Sequence, residues 1–503
     1  MKLSVAAALL AAFSLSLAAG AAPPAPVTES LPGPVVNSLS FELLSNSRVS
    51  VHSGFTDTLS RQVLANVLWA MGRVPHLSTG DRDFYVATRD NVYRYDPADN
   101  TLAVHRAGDM RYSPGSAFEI GIAAERDEEV GMYVQVGVLA GSAFNAAAGP
   151  GVVSCPMKWA SDHANDDWDP DQEIRMVNVF GAAECDEPDT LLAAVSSDST
   201  LPPPNPVGSD TFEIVLMDLG RDSVFSPVPL SFETVSQLLW AAYGATPHEA
   251  INGKLGLTVP SASMGYYLTG TIYLASGDGV DRYWSRAPGG SHYTADHRLE
   301  EVTPSDRRVQ LRAAAASIPS TAPVYVVLAV TDTSSYRSMQ EAGFAAFQLL
   351  AQARAMGLSG YVAPPLTIPE RADVAAALGL PAGQFPVLVF AGGELATGIA
   401  GPEVPPVVEI TRARPVVRLG DMFRVEYLLR HPATVRAEVF DLLGRPVYRI
   451  FEERQTAGYH SVEWDCADDD ADLVKKGSYV IGIFASGSSA APSAVAQHKV
   501  TVF

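Results

Sequence analysis

The stretch Arg221-Asp-Ser-Val-Phe-Ser-Pro-Val-Pro-Leu-Ser-Phe-Glu-Thr-Val-Ser-Gln-Leu-Leu-Trp-Ala-Ala-Tyr-Gly244 decides the reading of this chain, together with Thr258-Val-Pro-Ser-Ala262 and Gly270-Thr-Ile-Tyr273 just after it. Arg221 and Ser223 put a guanidinium and a hydroxyl on one short segment. That pair suits a phosphate, because arginine donates to its oxygens through two parallel bonds. Pro260-Ser261-Ala262 reads as a tight turn of small residues, where backbone amides can approach a flat ring.

A weaker copy of this stretch lies upstream. Phe41-Glu42, Arg48-Val-Ser50-Val51-His52, Leu59-Ser60 and Leu68-Trp69-Ala70 keep the order of Phe212-Glu213, Arg221-Asp-Ser223-Val224, Leu230-Ser231 and Leu239-Trp240-Ala241. The separations from Phe41 to Phe212, Leu59 to Leu230 and Trp69 to Trp240 are each 171 residues, and that from Arg48 to Arg221 is 173. A period this long exceeds that of solenoid repeats and points to duplication of a whole domain. Further on, Asn91–Asp96 parallels Gly279–Trp284, and the apolar run Glu119–Ala124 parallels Val324–Val330. A small-residue helix follows each run, over 130–148 and 340–356. A short helix over 368–378 and a buried strand over 385–390 close the second copy. Trp69 and Val92 are 23 positions apart, whereas Trp240 and Val280 are 40 apart. The first copy therefore lacks the segment that carries Pro-Ser-Ala.

Between the copies lie an acidic insertion, Asp162–Asp189, whose first part, Asp162–Glu173, is read as a solvated loop, and a linker, Leu201–Pro206. Residues 22–34 form a Pro-rich leader, and Gly401–Pro406 is a second linker. Beyond it the chain alternates in short strands with turn signals, as a β-sandwich does. Lys2, the apolar run Leu3–Leu17 and the small residues Ala18–Ala22 read as a secretory signal, 1–22, which places the protein outside the cytoplasm. No later stretch is long and apolar enough to span a membrane.

The chain has 503 residues, a formal net charge of −21 and 47% hydrophobic residues. This balance is globular, and it argues against binding nucleic acid or anionic lipid. The cysteines are Cys155, Cys185 and Cys466. Cys155 and Cys185 either pair or remain as two small core residues; no metal-ligand spacing exists. The acidic run lacks the glycine and glutamate of a calcium loop. The histidines show no zinc pattern, and no serine sits in a nucleophile elbow.

The duplicated unit, residues 36–200 and 209–400, resembles the nitroreductase family, and within it the dehydrogenases that oxidise thiazoline and oxazoline rings during peptide maturation. The Leu-Leu-Trp-Ala-Ala helix and the Pro-Ser-Ala turn carry the likeness. The resemblance implies an α+β fold, two tandem α/β sandwich units forming a pseudo-dimer, and at most one flavin mononucleotide (FMN) at their interface. It implies that Arg221 and Ser223 hold the phosphate while Pro260, Ser261 and Ala262 face the ring, with Arg48, Ser50 and His52 as the weaker set in the first copy. No catalytic side chain is singled out, since the flavin carries the hydride; a small-molecule acceptor is expected. The sequence departs from the family pattern at Phe225 and His52, at Ser263-Met264, and at Gly392-Gly393-Glu394-Leu395, which has no basic residue. A non-catalytic binding or structural protein on the same scaffold is the alternative. Residues 407–503 resemble the immunoglobulin-like domain of the flagellar hook-capping protein, through Val439–Arg445, Gly458–Asp465 and Lys476–Tyr479, which implies a surface or secretion partner rather than catalysis.

Overall fold

Val324–Val330, a β-branched run with every residue buried, lies in the middle of one of the two large sheets of the molecule. The computed structural model describes residues 28–35, 39–50, 54–56, 59–77, 82–125, 129–148, 153–156, 158–182, 190–197, 199–217, 219, 224–249, 253–286, 294–396, 408–413, 416–429, 433–441, 445–455, 458–468, 472–486 and 494–503. The signal segment 1–22, Cys185 and the linker 401–406 lie outside these residues, and the Cys155 side chain is likewise not described.

The first half contains strands β1 (Thr28–Ser30), β2 (Arg82–Ala87), β3 (Asn91–Asp96), β4 (Thr101–Ala107), β5 (Phe118–Ala124), β6 (Val153–Pro156) and β7 (Ile174–Gly181), in the order β1-β4-β3-β2-β5-β7-β6. Its helices are α1 (Phe41–Ser47), α2 (Arg61–Arg73), α3 (Glu129–Ala147) and α4 (Lys158–Asp167). The second half contains α5 (Phe212–Met217), α6 (Phe232–Tyr243), α7 (Arg308–Ala314), α8 (Tyr336–Ala355) and α9 (Ile368–Leu378). A small hairpin, β8 (Ala245–Glu249) with β9 (Leu255–Leu257), follows α6. The second large sheet runs β12-β11-β10-β13-β15-β14, with β10 (Ile272–Ala275), β11 (Val280–Arg286), β12 (Ala295–Thr303), β13 (Val324–Val330), β14 (Ser359–Val362) and β15 (Phe385–Gly393). Without the edge strand β1, the two sheets have the same order of strands.

Helices α3 and α8 cross at the centre. Helix α8 is buried nearly all round, as a helix enclosed on every side must be. The crossing is close because glycines meet there. A Cβ added at Gly137 would run into the Gln340 carbonyl, and one at Gly343 into the Val134 carbonyl. Nearby, Phe41 stacks on Phe212 with ring centroids 6.3 Å apart, and Ser40 forms a β-bridge with Thr211. One apolar core runs through both halves, from Phe41 and Leu68 to Phe347 and Phe390, so neither half closes its core alone.

Several readings of the sequence need correction. Asp162–Glu173 is not all loop, since α4 runs on to Asp167, and the insertion Asp162–Asp189 also contains β7, which pairs with β5 on one side and β6 on the other. The apolar run Met176–Phe180 was masked by the acidic residues before it. Two of those acids have side-chain partners: Asp171 meets Arg94 at 3.1 Å, and Asp167 Oδ2 lies 2.9 Å from His163 Nδ1. The Pro-rich leader contributes β1 to the sheet edge. The linker Leu201–Pro206 packs on α6, where Asn205 N–H donates to Gln237 Oε1 at 2.7 Å and Ser236 Oγ donates to the Pro202 carbonyl at 2.6 Å. Helix α9 matches expectation: a capping box of Thr367 and Glu370 opens it, and Gly379 at φ 71° ends it.

The C-terminal region has two sheets around one core. One pairs Val408–Ala413, Phe423–Leu429 and Gly458–Trp464; the other contains Ala433–Asp441, Pro446–Gln455, Gly477–Ser486 and Ala494–Val502, with Val416–Val417 at its edge. Trp464 fills that core, with its Nε1 donating to the Ala467 carbonyl at 2.8 Å. Cys466 is buried there as a free thiol. No described helix is long and apolar enough to cross a membrane.

Candidate functional site at the junction of the two halves

The segment between α6 and β10 brings Pro-Ser-Ala to the junction. It leaves α6 at Gly244, where a Cβ would strike the Trp240 ring, so only glycine lets the chain turn under that side chain. Thr258 N–H then donates to the Gly244 carbonyl at 3.0 Å, and Thr258 Oγ1 to the Trp240 carbonyl at 3.2 Å. Pro260 is buried, while Ser261 and Ala262 are half-buried. Ser261 Oγ accepts from Tyr266 N–H at 2.7 Å, and the Ser261 carbonyl accepts from Met264 N–H at 3.0 Å. Ser263, Met264 and Tyr266 all hold left-handed φ angles of 49–55°. Strained non-glycine backbone of this kind concentrates at binding sites and persists only where its surroundings enforce it.

Arg48 reaches this segment from the other half. Helix α1 ends at Arg48 in extended backbone. The buried guanidinium donates to Ser50 Oγ at 2.9 Å through Nη1, and through Nη2 to the Leu257 carbonyl at 2.9 Å and the Val259 carbonyl at 3.2 Å. The structure thus joins Arg48 and Ser50 of the first half to the residues just before Pro260. Arg221, Ser223 and His52 lie outside the described residues. Their neighbour Phe225 bridges Leu395 at the end of the second sheet.

Behind the turn sits a group the sequence reading missed. Glu341, on α8, is fully buried and accepts from the Tyr243 hydroxyl and from Leu268 N–H, the latter at 3.2 Å. Burial pushes its carboxyl up to about 7, although hydrogen bonds from Ser261, Tyr243 and the Leu268 amide favour the charged form. The same burial, with Glu341 alongside, raises the Tyr243 hydroxyl well above its ordinary range. Arg286, also buried, lies over the Tyr266 ring at 4.0 Å and donates to the Gly256 carbonyl at 3.1 Å. Desolvation lowers its guanidinium from the usual value. Tyr266 is therefore a turn residue held under a cation. The available signal was the acid itself: Glu341 is the one carboxylate of α8 and lies on a face it shares with Gln348 and Gln352.

A polar network extends along α8. Gln348 Nε2 donates to the Thr258 carbonyl at 2.7 Å, and Asn145 Nδ2 donates to Gln348 Oε1 at 3.3 Å. Gln352 Nε2 donates to Glu42 Oε1 at 2.8 Å. These bonds tie α1, α3 and α8 to the Pro-Ser-Ala segment. Beside the turn, a cavity of about 130 Å³ opens between Tyr133, Asn165 and Arg175 of the first half and Ala262, Ser263 and Gln340 of the second.

Comparison with known proteins reaches the second half by sequence and both halves by fold. Residues 221–394 match the Nitroreductase family. No curated protein matches the chain by sequence. Among solved structures, a protein of Anabaena variabilis assigned as a nitroreductase aligns over 73% of this chain and 94% of its own, with 13% identity and a TM-score of 0.52. That likeness is one of fold. The Escherichia coli microcin synthetase complex McbBCD aligns over 36% of this chain and 72% of its own, at 17% identity and a TM-score of 0.27. An FMN-dependent nitroreductase of Clostridium difficile aligns over 36% and 87%, at 12% identity and a TM-score of 0.24. The scaffold has a nitroreductase-like fold, the one that the Leu-Leu-Trp-Ala-Ala helix and the Pro-Ser-Ala turn implied in the sequence.

Arg48 and Ser50 are donor types that a phosphate takes, beside a turn of small residues from the opposite half, and here the guanidinium is engaged with Ser50 and the Leu257 and Val259 carbonyls.

Proposed function

We propose that the chain is a flavin-dependent oxidoreductase of nitroreductase type that holds one FMN between its halves. The observation that carries this is the contact of Arg48, from the first half, with the Leu257 and Val259 carbonyls immediately before Pro260-Ser261-Ala262 of the second. Arg48 and Ser50 would hold the phosphate, and Pro260, Ser261 and Ala262 would cover the ring. When bound, a flavin supplies hydride transfer from a donor to a small-molecule acceptor. The chain's own part is to position and shield, with Glu341 storing a proton behind Ser261 near neutral pH.

The halves are read as a tandem duplication acting as a pseudo-dimer. Support comes from the common strand order, from the Phe41–Phe212 and Ser40–Thr211 pairs at the 171-residue period, and from the reciprocal glycine contacts of α3 and α8. The C-terminal sheets are read as an immunoglobulin-like module that engages a cell-surface or secretion partner, and residues 1–22 as the signal for export.

A second reading, a non-catalytic scaffold, is favoured by one observation. The Arg48 guanidinium is spent on protein oxygens, and the described junction cavity, at about 130 Å³, is below the roughly 300 Å³ of ordinary ligand sites. FMN binding therefore requires Arg48 to release its carbonyls. Fluorescence titration of FMN with the chain from residue 23 onward separates the readings. The first predicts saturable quenching that Arg48→Ala weakens at least about tenfold, the loss of one charge-assisted phosphate contact. Absence of quenching supports the scaffold. Quenching abolished by Arg221→Ala and untouched by Arg48→Ala would move the phosphate site into the second half.

A further inference from the structure

A separate cavity of about 240 Å³ lies under the segment that joins the halves. Its walls include Leu192, Val195 and Leu201 of that segment, Trp240 of α6, Ser285 of β11 and Ala295 of β12. The wall is held firmly. Ser196 N–H donates to the Ala295 carbonyl at 2.8 Å, and Ser196 Oγ donates to Asp296 Oδ1 at 2.9 Å. The His297 carbonyl accepts from Ser199 Oγ at 2.9 Å and from Leu201 N–H at 3.3 Å, and His297 keeps a left-handed φ of 45° to present it.

The chemistry of the lining is specific. It includes no acid, lysine or arginine. His297 is its one titratable group, and both ring nitrogens are engaged, Nε2 with Ser236 Oγ at 2.8 Å and Nδ1 with the Tyr283 hydroxyl at 2.9 Å. Burial lowers its pKa to about 4, so the ring is neutral under ordinary conditions. Ser285 is the exception to this satisfied lining. It is 2% exposed, and its Oγ has no hydrogen-bond partner among the described residues. Buried hydroxyls are normally paired, and an unpaired one facing an apolar cavity marks a place for a ligand oxygen.

We propose that this cavity binds a neutral aromatic molecule of one or two fused rings that carries a single hydroxyl or carbonyl oxygen, with the rings against Trp240 and Leu201 and the oxygen on Ser285. Size sets the class: an apolar cavity of roughly 150 Å³ accepts benzene, and this one is larger by about one more ring. Neutrality follows from the uncharged lining, since an unpaired charge would stay in water. The site is independent of the flavin reading, because none of its residues belongs to the junction turn.

Equilibrium dialysis of the flavin-free protein with 1-naphthol and with naphthalene tests this. The expected result is one 1-naphthol per chain with a dissociation constant below about 100 μM. Ser285→Ala should weaken 1-naphthol about fivefold and leave naphthalene unchanged, the mark of one lost hydrogen bond. Ala193→Leu, which fills the wall, should abolish both. If that variant does not fold, the Ser285→Ala comparison alone decides. No saturable binding, equal 1-naphthol affinity in wild type and Ser285→Ala, or displacement of 1-naphthol by FMN would overturn the proposal.

Discussion

Gly343→Leu is expected to destabilise the central fold by at least about 3 kcal/mol, the upper range for overpacking a well-filled core. The cause is the α3–α8 crossing, where a Cβ at Gly343 meets the Val134 carbonyl and the Gly137 Cα. A carbonyl on a rigid helix cannot swing aside as a long side chain can, so the helices must separate. The shared core then opens along its length, since Phe144 and Phe344 pack edge to face at 5.7 Å beside the crossing. Gly137→Ala strains the same contact from the other helix. Because the two substitutions force one common displacement, the double variant should cost less than the sum of the singles. Urea unfolding of the four proteins measures this; strict additivity would show that the two glycines do not share one crossing.

The second large effect concerns Glu341. Its carboxyl is raised to about 7 in the folded chain, against 4.5 for an unperturbed side chain. The folded state therefore holds a proton that the unfolded state releases between these values. Stability from this group is complete below about pH 4.5 and is lost as the pH rises through about 7, by up to about 3 kcal/mol. Glu341→Gln keeps the shape and still accepts from Tyr243 and Leu268, but it cannot ionise. The difference in unfolding free energy, wild type minus Glu341→Gln, should fall by roughly this amount from about pH 5 to about pH 8. Parallel pH curves would show that Glu341 is not the protonated group. His297 acts in the opposite sense. Its pKa is lowered from 6.5 to about 4, so its stabilising effect is complete above about 6.5 and is lost as the pH falls through 4. Comparison with the Gln variant is what isolates the carboxyl from it.

Much of this molecule was legible in the sequence. The alternation of apolar runs and turn signals located β5, β13, α8 and α9, and the 171-residue period aligned the stretches that form α1 and α2 with those that form α5 and α6. What the sequence hid is instructive. β7 lies directly after an acidic stretch whose charges dominate any window average, although it is paired on both sides and its run Met176–Phe180 is buried. The linker Leu201–Pro206 carries every sign of a free tether, yet Gln237 and Ser236 pin it to α6. At the candidate site, sequence order grouped Arg221 with Pro260 because both belong to the better copy. Arg221 lies outside the described residues, and among those described it is Arg48 that comes beside Pro260, a contact between halves that no local pattern encodes. Glu341 was hidden for a related reason, because its environment is assembled from α6, α8 and the turn at Ser261.

The most direct test is the number of flavins per chain. Full reconstitution with FMN, removal of free flavin and measurement of absorbance against protein concentration should give one FMN per chain, because Pro-Ser-Ala occurs in only one half and meets Arg48 only once. Zero bound flavin would contradict the oxidoreductase reading and leave the scaffold as a binding or structural protein. Two per chain would contradict a single site shared between unequal halves.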